Sequence, residues 1–379
     1  MSFQLTAEQR MVQKMAREFA RKELLPLSME RDKSKEFPGE SLSKMGELGF
    51  LGMMVPPEYD GAGADTVSYA SALSEIAYAC ASTAVVMSVH NSIVCESLMK
   101  FGSKDQKDRY LGFLARGEWI GAFAMTEPLA GSDPVRQETT ATKTDKGWLI
   151  NGVKRFITSG KNAELVIVTA KTDPARRHRG ISAFLVRRGT PGFSVGRLEN
   201  KMGLCASDTA DLYFENCEVD GRDILGGEGS GFLIAMSALD CGRIGIAAQS
   251  VGVAQAALDA AVYHARHREQ FGKPIAANQG VSFPIADMAT EIAAARLLML
   301  SAAAAKDRLE NFTVAASMAK LYASEMVNRV VAKALQIHGG YGYTKDYAVE
   351  KHYRDARVFT IYEGTSEIQR MVISRHLLG

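Results

Sequence analysis

Residues 362–370 read Tyr-Glu-Gly-Thr-Ser-Glu-Ile-Gln-Arg. Glu363 is an acid placed just before Gly364, and glycine lets another backbone or a ligand come close. Thr365 or Ser366 can cap a helix that carries Ile368, Met371, Val372 and Leu377 on one face. A carboxylate therefore stands at a loop-to-helix junction. Acids at helix starts commonly do no more than match the helix dipole. This stretch alone does not separate a working acid from a structural one.

Four further segments carry groups of the right kind. Residues 121–133 offer the hydroxyls of Thr126 and Ser132, glycines and free amides around apolar Phe123 and Met125. That set suits an isoalloxazine ring, which needs an apolar face and hydrogen bonds along its polar edge. The same composition also makes an ordinary surface loop. Phe156 and Thr158 add an aromatic wall and a hydroxyl. Arg268 can pair with a phosphate and Phe271 can cover an adenine or a ring edge; a helix ending on Arg268 with Gly272 as its stop explains them equally. Gln336, Gly339 and Gly340 end another helix, and those glycines would admit a diphosphate.

Asp240 and Arg243 lie three apart on one helix face and can pair with each other; a surface ion pair is the default reading. His264 and His267 have no third ligand near them in sequence, so a solvated helix face is expected rather than a metal. Neither a G-x-G-x-x-G nor a G-x-x-x-x-G-K-[ST] pattern occurs.

The elements that must position these groups change type twice. Thr6 and Gln9 form a capping box before Met11, Met15, Phe19 and Leu24 at helical spacing. Residues 69–98 read as one or two buried helices, and Ser103 with Gln106 begins another. Residues 1–118 are thus expected to be all-helical. Trp148 begins a strand entering an Asn151–Gly152 hairpin turn. The runs 165–169, 181–186 and 210–214 read as short strands, with Pro191, Gly192 and residues 216–221 as breaks. An antiparallel β-barrel is expected over 119–228. Helical period returns after the glycine-rich run 226–231. Ile234, Leu239, Ile244, Ala247, Val251, Ala254 and Leu258 imply one long amphipathic helix. Two further helices, through Ile285–Leu298 and 314–335, and a last one over 366–378 complete a four-helix bundle over 229–379.

The 379 residues are enough for two or three domains, and a formal charge of +2 argues against nucleic acid as the main partner. The charged N-terminus is no secretory signal, and no apolar run is expected to span a bilayer. Five cysteines without a C-x-x-C pair suit a reducing compartment. The expected location is the cytosol, or the mitochondrial matrix if a transit peptide has been removed.

Taken in order, these segments resemble the acyl-CoA dehydrogenase flavoenzymes. They are Met125-Thr-Glu-Pro with Gly131-Ser-Asp, Phe156-Ile-Thr, Leu239-Asp-x-x-Arg243, Arg268-x-x-Phe-Gly-x-Pro, Gln336-x-x-Gly-Gly and Tyr362-Glu-Gly-Thr-Ser-Glu. Residues 239–247 and 352–357 look closest to the short-chain, butyryl-type members. The resemblance implies an α+β architecture: an N-terminal helical domain, a middle barrel and a C-terminal bundle. It implies FAD between barrel and bundle, its far end reaching a neighbouring subunit of a homotetramer built as a dimer of dimers. Phe123, Met125, Thr126, Ser132, Phe156 and Thr158 match flavin positions. Arg268, Phe271, Gln279, Gln336, Gly339 and Gly340 match the diphosphate and adenine end, and Thr365 and Glu367 also match cofactor positions. Ser132, Asp240, Arg243, Tyr362 and Gly364 match contacts to an acyl-CoA thioester. Glu363 matches the base that takes the α-proton while flavin takes the β-hydrogen, and an electron-transferring flavoprotein is the implied acceptor.

Leu129 and Pro134 depart from the family pattern at the thioester entrance. Some branched-chain members carry their base on the Asp240–Arg243 helix, but Cys241 and Gly242 leave Glu363 as the candidate here. A glutaryl-CoA substrate is disfavoured because residues 81–89 lack an arginine. Branched or cyclic short acyl groups, and a non-catalytic scaffold of the same fold, remain as alternatives.

Overall fold

A computed structural model describes residues 4–379. Seven helices come first: α1 (Ala7–Phe19), α2 (Ser28–Ser34), α3 (Gly39–Glu47), α4 (Thr66–Ala79), α5 (Ala81–Ser88), α6 (Glu96–Phe101) and α7 (Lys104–Ala115). Both expected capping boxes form, on Thr6 and on Ser103. Between α5 and α6 the chain runs through a π-helical stretch, Val89–Cys95, that is buried throughout.

The middle strands are β1 (Gly121–Ala124), β2 (Thr140–Lys143), β3 (Gly147–Thr158), β4 (Leu165–Lys171), β5 (Ile181–Arg187), β6 (Phe193–Leu198), β7 (Thr209–Asp220) and β8 (Ile224–Leu225). They form one sheet in the order β6-β7-β3-β2-β4-β5-β8, with β1 added to β4. The expected antiparallel barrel is therefore a mainly antiparallel sheet with two parallel pairings. β1 lies along Leu165–Val168 of β4, and β2 touches β4 at Lys171. The two short strands share one edge of β4, and the loop between them leaves the sheet midway along that edge.

The Asn151–Gly152 turn does not form. Both residues lie inside β3, opposite a bulge in β7 where Asn216 has φ +50°. Each asparagine satisfies the other: Asn216 N–H donates to Asn151 Oδ1 at 2.7 Å. Residues 216–221, also read as a break, continue β7 to Asp220. Asparagine and glycine favour turns because they tolerate unusual backbone angles, and a bulge uses the same tolerance. β4 and β5 bury both faces, one against the sheet's own core around Trp148, Phe184 and Phe214, the other against the helices. That explains their unbroken apolar runs.

The last part holds α8 (Gly231–His267), α9 (Gln279–Asp307), α10 (Thr313–His338), a short α11 (Ala348–Ala356) not expected from sequence, and α12 (Ser366–Leu378). A small hairpin pairs residues 269–270 with 273–274 after α8. α8 is not amphipathic along its middle: every residue from Cys241 to Ala254 is buried. It packs between α4 and α10, so the N-terminal helices and the bundle share one core. By length and composition α8 and α9 would both pass as membrane spans, contrary to the expectation that no such run exists. The apolar window of α8 is 67% buried inside the fold and that of α9 44%. α12 buries Ser366 and Gln369 and leaves Met371 and Leu377 exposed, so its expected apolar face is not the one turned inward.

Candidate active site

Glu363 lies between α11 and α12 with φ +52°, followed by Gly364 at +91°. Thr365 caps α12 by accepting from Ile368 N–H, which ends the turn and starts the helix. The Gly364 carbonyl is held twice. Lys320 Nζ donates to it at 2.7 Å and Gln369 Nε2 at 2.9 Å. This turn carries the Glu363 side chain to α8 at Gly242. A β-carbon at 242 would collide with Glu363 Oε2 and would stand 3.2 Å from Ile93 Cδ1 of the π-helical stretch. Only glycine leaves room there.

Both carboxyl oxygens of Glu363 are sealed from solvent and have no hydrogen-bond partner among the described residues. Burial pushes the carboxyl up to about 7, while the positive charges of Lys320 and Arg243 act to lower it. Desolvation outweighs the two cations. A carboxyl near neutrality with free lone pairs is equipped to accept a proton from a weak acid.

Asp240 and Arg243 do pair, at 2.5 Å, but not on the surface as the default reading had it. Arg243 is 4% exposed because α8 is central. Its Nη1 also donates to Ser317 Oγ, and Thr313 Oγ1 donates to Asp240 Oδ2. This lock lies beside the Glu363 seat and fixes α10 against α8.

The loop from Met125 to Thr139 leaves the β4 edge between β1 and β2. Glu127 and Ala130 exchange backbone hydrogen bonds, which lifts Pro128 and Leu129 outward. Below, Lys154 of β3 is fully buried. Its Nζ donates to Glu127 Oε1 at 2.7 Å, Gln137 Oε1 at 2.9 Å and Met125 O at 3.1 Å. Glu127 also accepts from the amides of Glu138 and Thr139. Burial lowers Lys154 to about 8. Burial acts to raise Glu127, but Lys154 and the amide donors hold it below the usual carboxylate range. One step along β3, Arg155 N–H donates to Thr126 O, which sets Phe156 beside the loop. Phe156 has φ +59° and is 56% exposed, a strained placement for a large aromatic side chain.

The structure groups the sequence-derived residues into three sets. Glu363, Gly364, Thr365, Asp240, Arg243 and Tyr362 gather around the middle of α8 and the start of α12. Tyr362 turns its hydroxyl inward to Gln249 Oε1 at 2.6 Å. Phe123 lies on β1, Met125, Thr126 and Ser132 on the loop that follows it, and Phe156 and Thr158 at the end of β3. Arg268, Phe271, Gln279, Gln336, Gly339 and Gly340 are exposed at the far end of α8 and α10, where Arg268 lies over the Tyr341 ring. From Gly242 to Arg268 is about 39 Å along the helix. His264 stacks on His338 with centroids 4.3 Å apart, and no metal-binding cluster occurs among the described residues. Sequence reading missed Gly242 as a seat, the Lys154–Glu127 latch and Lys320. A lysine at a helical position flanked by Ala316, Ala319 and Ala323 was the legible clue to the last.

Three family models match in order: "Acyl-CoA dehydrogenase, N-terminal domain" over residues 6–118, "middle domain" over 122–217 and "C-terminal domain" over 229–378. An acyl-CoA dehydrogenase of Bacillus subtilis is 51% identical over 99% of both chains. A mitochondrial short-chain specific acyl-CoA dehydrogenase of Rattus norvegicus is 47% identical, covering 100% of this chain and 92% of its own. The solved structure of butyryl-CoA dehydrogenase from Megasphaera elsdenii superposes with a TM-score of 0.98 at 43% identity, and both chains are covered in full. A chain in a structure described as an electron transferring flavoprotein of Acidaminococcus fermentans gives a TM-score of 0.99 at 46% identity, again over the whole of both chains. The chain belongs to the acyl-CoA dehydrogenase family. It is an FAD-dependent oxidoreductase of that family.

Proposed function

We propose that the chain dehydrogenates short acyl-CoA thioesters to trans-2-enoyl-CoA, with Glu363 taking the α-proton. The observation that carries this reading is the Glu363 carboxyl: buried, unpartnered, near neutrality and seated on a glycine. An ordinary carboxylate at roughly 4.3 is a weak base for a carbon acid. Burial narrows that gap from the side of the base. Donors to the thioester oxygen, the Glu363 amide among them, narrow it from the side of the substrate by stabilising enolate charge.

The residues present fit FAD. Thr126, Ser132 and Thr158 provide hydroxyls, Phe156 an exposed aromatic face, and Gly339 and Gly340 backbone on which even a β-carbon would meet nothing within 4 Å. FAD, when bound, supplies the acceptor for the β-hydrogen as hydride. The far-end residues are exposed, and Arg268 lies about 39 Å along α8 from the Glu363 seat. Arg268, Phe271, Gln279, Gln336, Gly339 and Gly340 therefore serve the cofactor held by a second copy of the chain, which supports a homotetramer of paired dimers. Thr365 already caps α12, and Glu367 is exposed beside it.

A short acyl chain is supported by the wall beyond the base. Two turns along α8 from Gly242, Gln249 is fully buried between Ala81 O, to which it donates at 2.8 Å, and Tyr362. At Gly245 a β-carbon would collide with Ser88 Oγ and come within 3.0 Å of the Tyr69 hydroxyl. This crowded, polar end leaves little depth for a long hydrocarbon. Anaerobic bleaching across straight, branched and cyclic acyl-CoAs tests the substrate range. Reoxidation by an electron-transferring flavoprotein, the proposed acceptor, is measured in the same preparation.

The decisive variant is Glu363→Gln. It is expected to retain yellow FAD and bind butyryl-CoA, with flavin reduction slowed by at least about 10³-fold. In the wild type the rate should rise with pH through about 7, because the base must be ionised. Near-normal flavin reduction in Glu363→Gln would remove the residue from the reaction.

A further inference from the structure

We propose that Lys320 is a positioning residue for the base: its ammonium pins the Glu363–Gly364 turn through the Gly364 carbonyl and sets positive charge against the Glu363 carboxyl. The inference rests on the base role proposed above. Lys320 stands on α10 and is fully buried, on a helix that also buries Ala316, Ala319 and Ala323. Among the described residues its one hydrogen bond goes to Gly364 O, at 2.7 Å. A buried ammonium is costly unless something compensates it, and one carbonyl could be served by a neutral donor. Gln369 Nε2 already serves the same oxygen from α12.

Two consecutive residues with positive φ, the first not a glycine, persist only where the surroundings over-determine them. Lys320 and Gln369 supply that constraint from two different helices. The charge has a further use, because the anion it faces is Glu363. The other groups facing this carboxyl are Arg243 from α8, the phenol of Tyr69 from α4 and the adjoining Tyr362. Glu325 and Glu367 also act on Lys320, favouring its charge. Arg243 is already paired with Asp240, so Lys320 is the cation without an ion-pair partner in this set. Burial lowers Lys320 to about 8, so it still carries charge where the base must ionise.

The test uses FAD-loaded wild type, Lys320→Met, Lys320→Gln, Lys320→Arg and Glu363→Gln. One readout is the pH dependence of single-turnover flavin bleaching by butyryl-CoA. The other, independent of turnover, is the pH midpoint of the protonated-carboxyl infrared band that disappears in Glu363→Gln. Removing the charge in the Met and Gln variants should move both midpoints up by about one unit. At pH 7 the ionised fraction then drops from about a half to about a tenth, a rate loss of about five-fold. Lys320→Arg should restore the midpoints. If the Met variant fails to hold FAD, the Gln variant, which keeps a donor, carries the comparison. Unmoved midpoints in a folded Gln variant overturn the proposal, while wild-type bleaching and an inert Glu363→Gln would leave the base role standing. A Glu363→Gln enzyme that bleaches normally overturns both.

Discussion

The role proposed for Glu363 requires its carboxyl and its seat to agree to within about 1 Å. The seat is Gly242, whose missing side chain is the space the carboxyl fills. Gly242→Ala inserts one methyl group into a buried position and should push the carboxyl off its line of approach. Displacements of about 1 Å at a reacting group cost about 10²-fold in rate. The expected outcome is an enzyme that still binds FAD, shown by its visible spectrum, with flavin reduction by butyryl-CoA slowed by about 10²-fold. A variant with unchanged bleaching kinetics would show that the carboxyl reaches the thioester from another direction. The placing of an acid at a loop-to-helix junction was legible from the neighbours of Glu363 in sequence. That of Gly242 was not, because 121 positions separate the two residues and only packing of the C-terminal turn on α8 joins them.

Among the elements, the middle sheet does its positioning through a loop that leaves an edge rather than through a strand. Lys154 reaches from β3 beneath that loop and holds Met125, Glu127 and Gln137 together. Lys154→Met strands the Glu127 carboxylate in a buried setting. Breaking a buried pair from one side costs about 3–5 kcal/mol. Urea unfolding should show a loss of that size, and titration with FAD should show weakened affinity even below the unfolding range. Full flavin affinity in the variant would mean that the loop is held by Thr126 and Arg155 alone. The same region shows where periodicity misleads: Asn151, Gly152 and Asn216 carry turn signals, yet they face one another across a bulge between two long strands. Turn propensity reports tolerance of a backbone angle and says nothing about whether the chain then reverses.

For the whole molecule, the middle of α8 and its C-terminal end are proposed to serve different sites. Glu363 lies by Gly242, whereas Arg268 begins the exposed hairpin bearing Phe271, which is 96% exposed in one protomer. If the far end of each cofactor is held by a neighbour, defects at the two ends should complement. Oligomers of Glu363→Gln and Arg268→Ala chains, mixed by co-expression, contain some sites with an intact Glu363 from one chain and an intact Arg268 from the other. Butyryl-CoA bleaching should reappear in the mixture to about a quarter of the wild-type amplitude, in line with random assembly of two chains into shared sites. No recovery above the separate variants would show that each chain completes its own site.

The sequence by itself determined the order helix, sheet, helix, the capped starts of α1 and α7, the acid at 363 and the ordered motifs that identify the family. These are local or linear signals: hydrophobic period, cap residues, and side-chain types at set spacing. Only the tertiary structure decided that Asp240–Arg243 is buried, that a glycine on α8 receives the Glu363 carboxyl, that Lys320 binds a turn on another helix, and that Arg268 and its companions are exposed about 39 Å along α8 from that seat. Each of these depends on which surfaces meet across long stretches of chain. Burial then changes what a charge does, turning an acid, an arginine and a lysine that would be solvated alone into one coupled set.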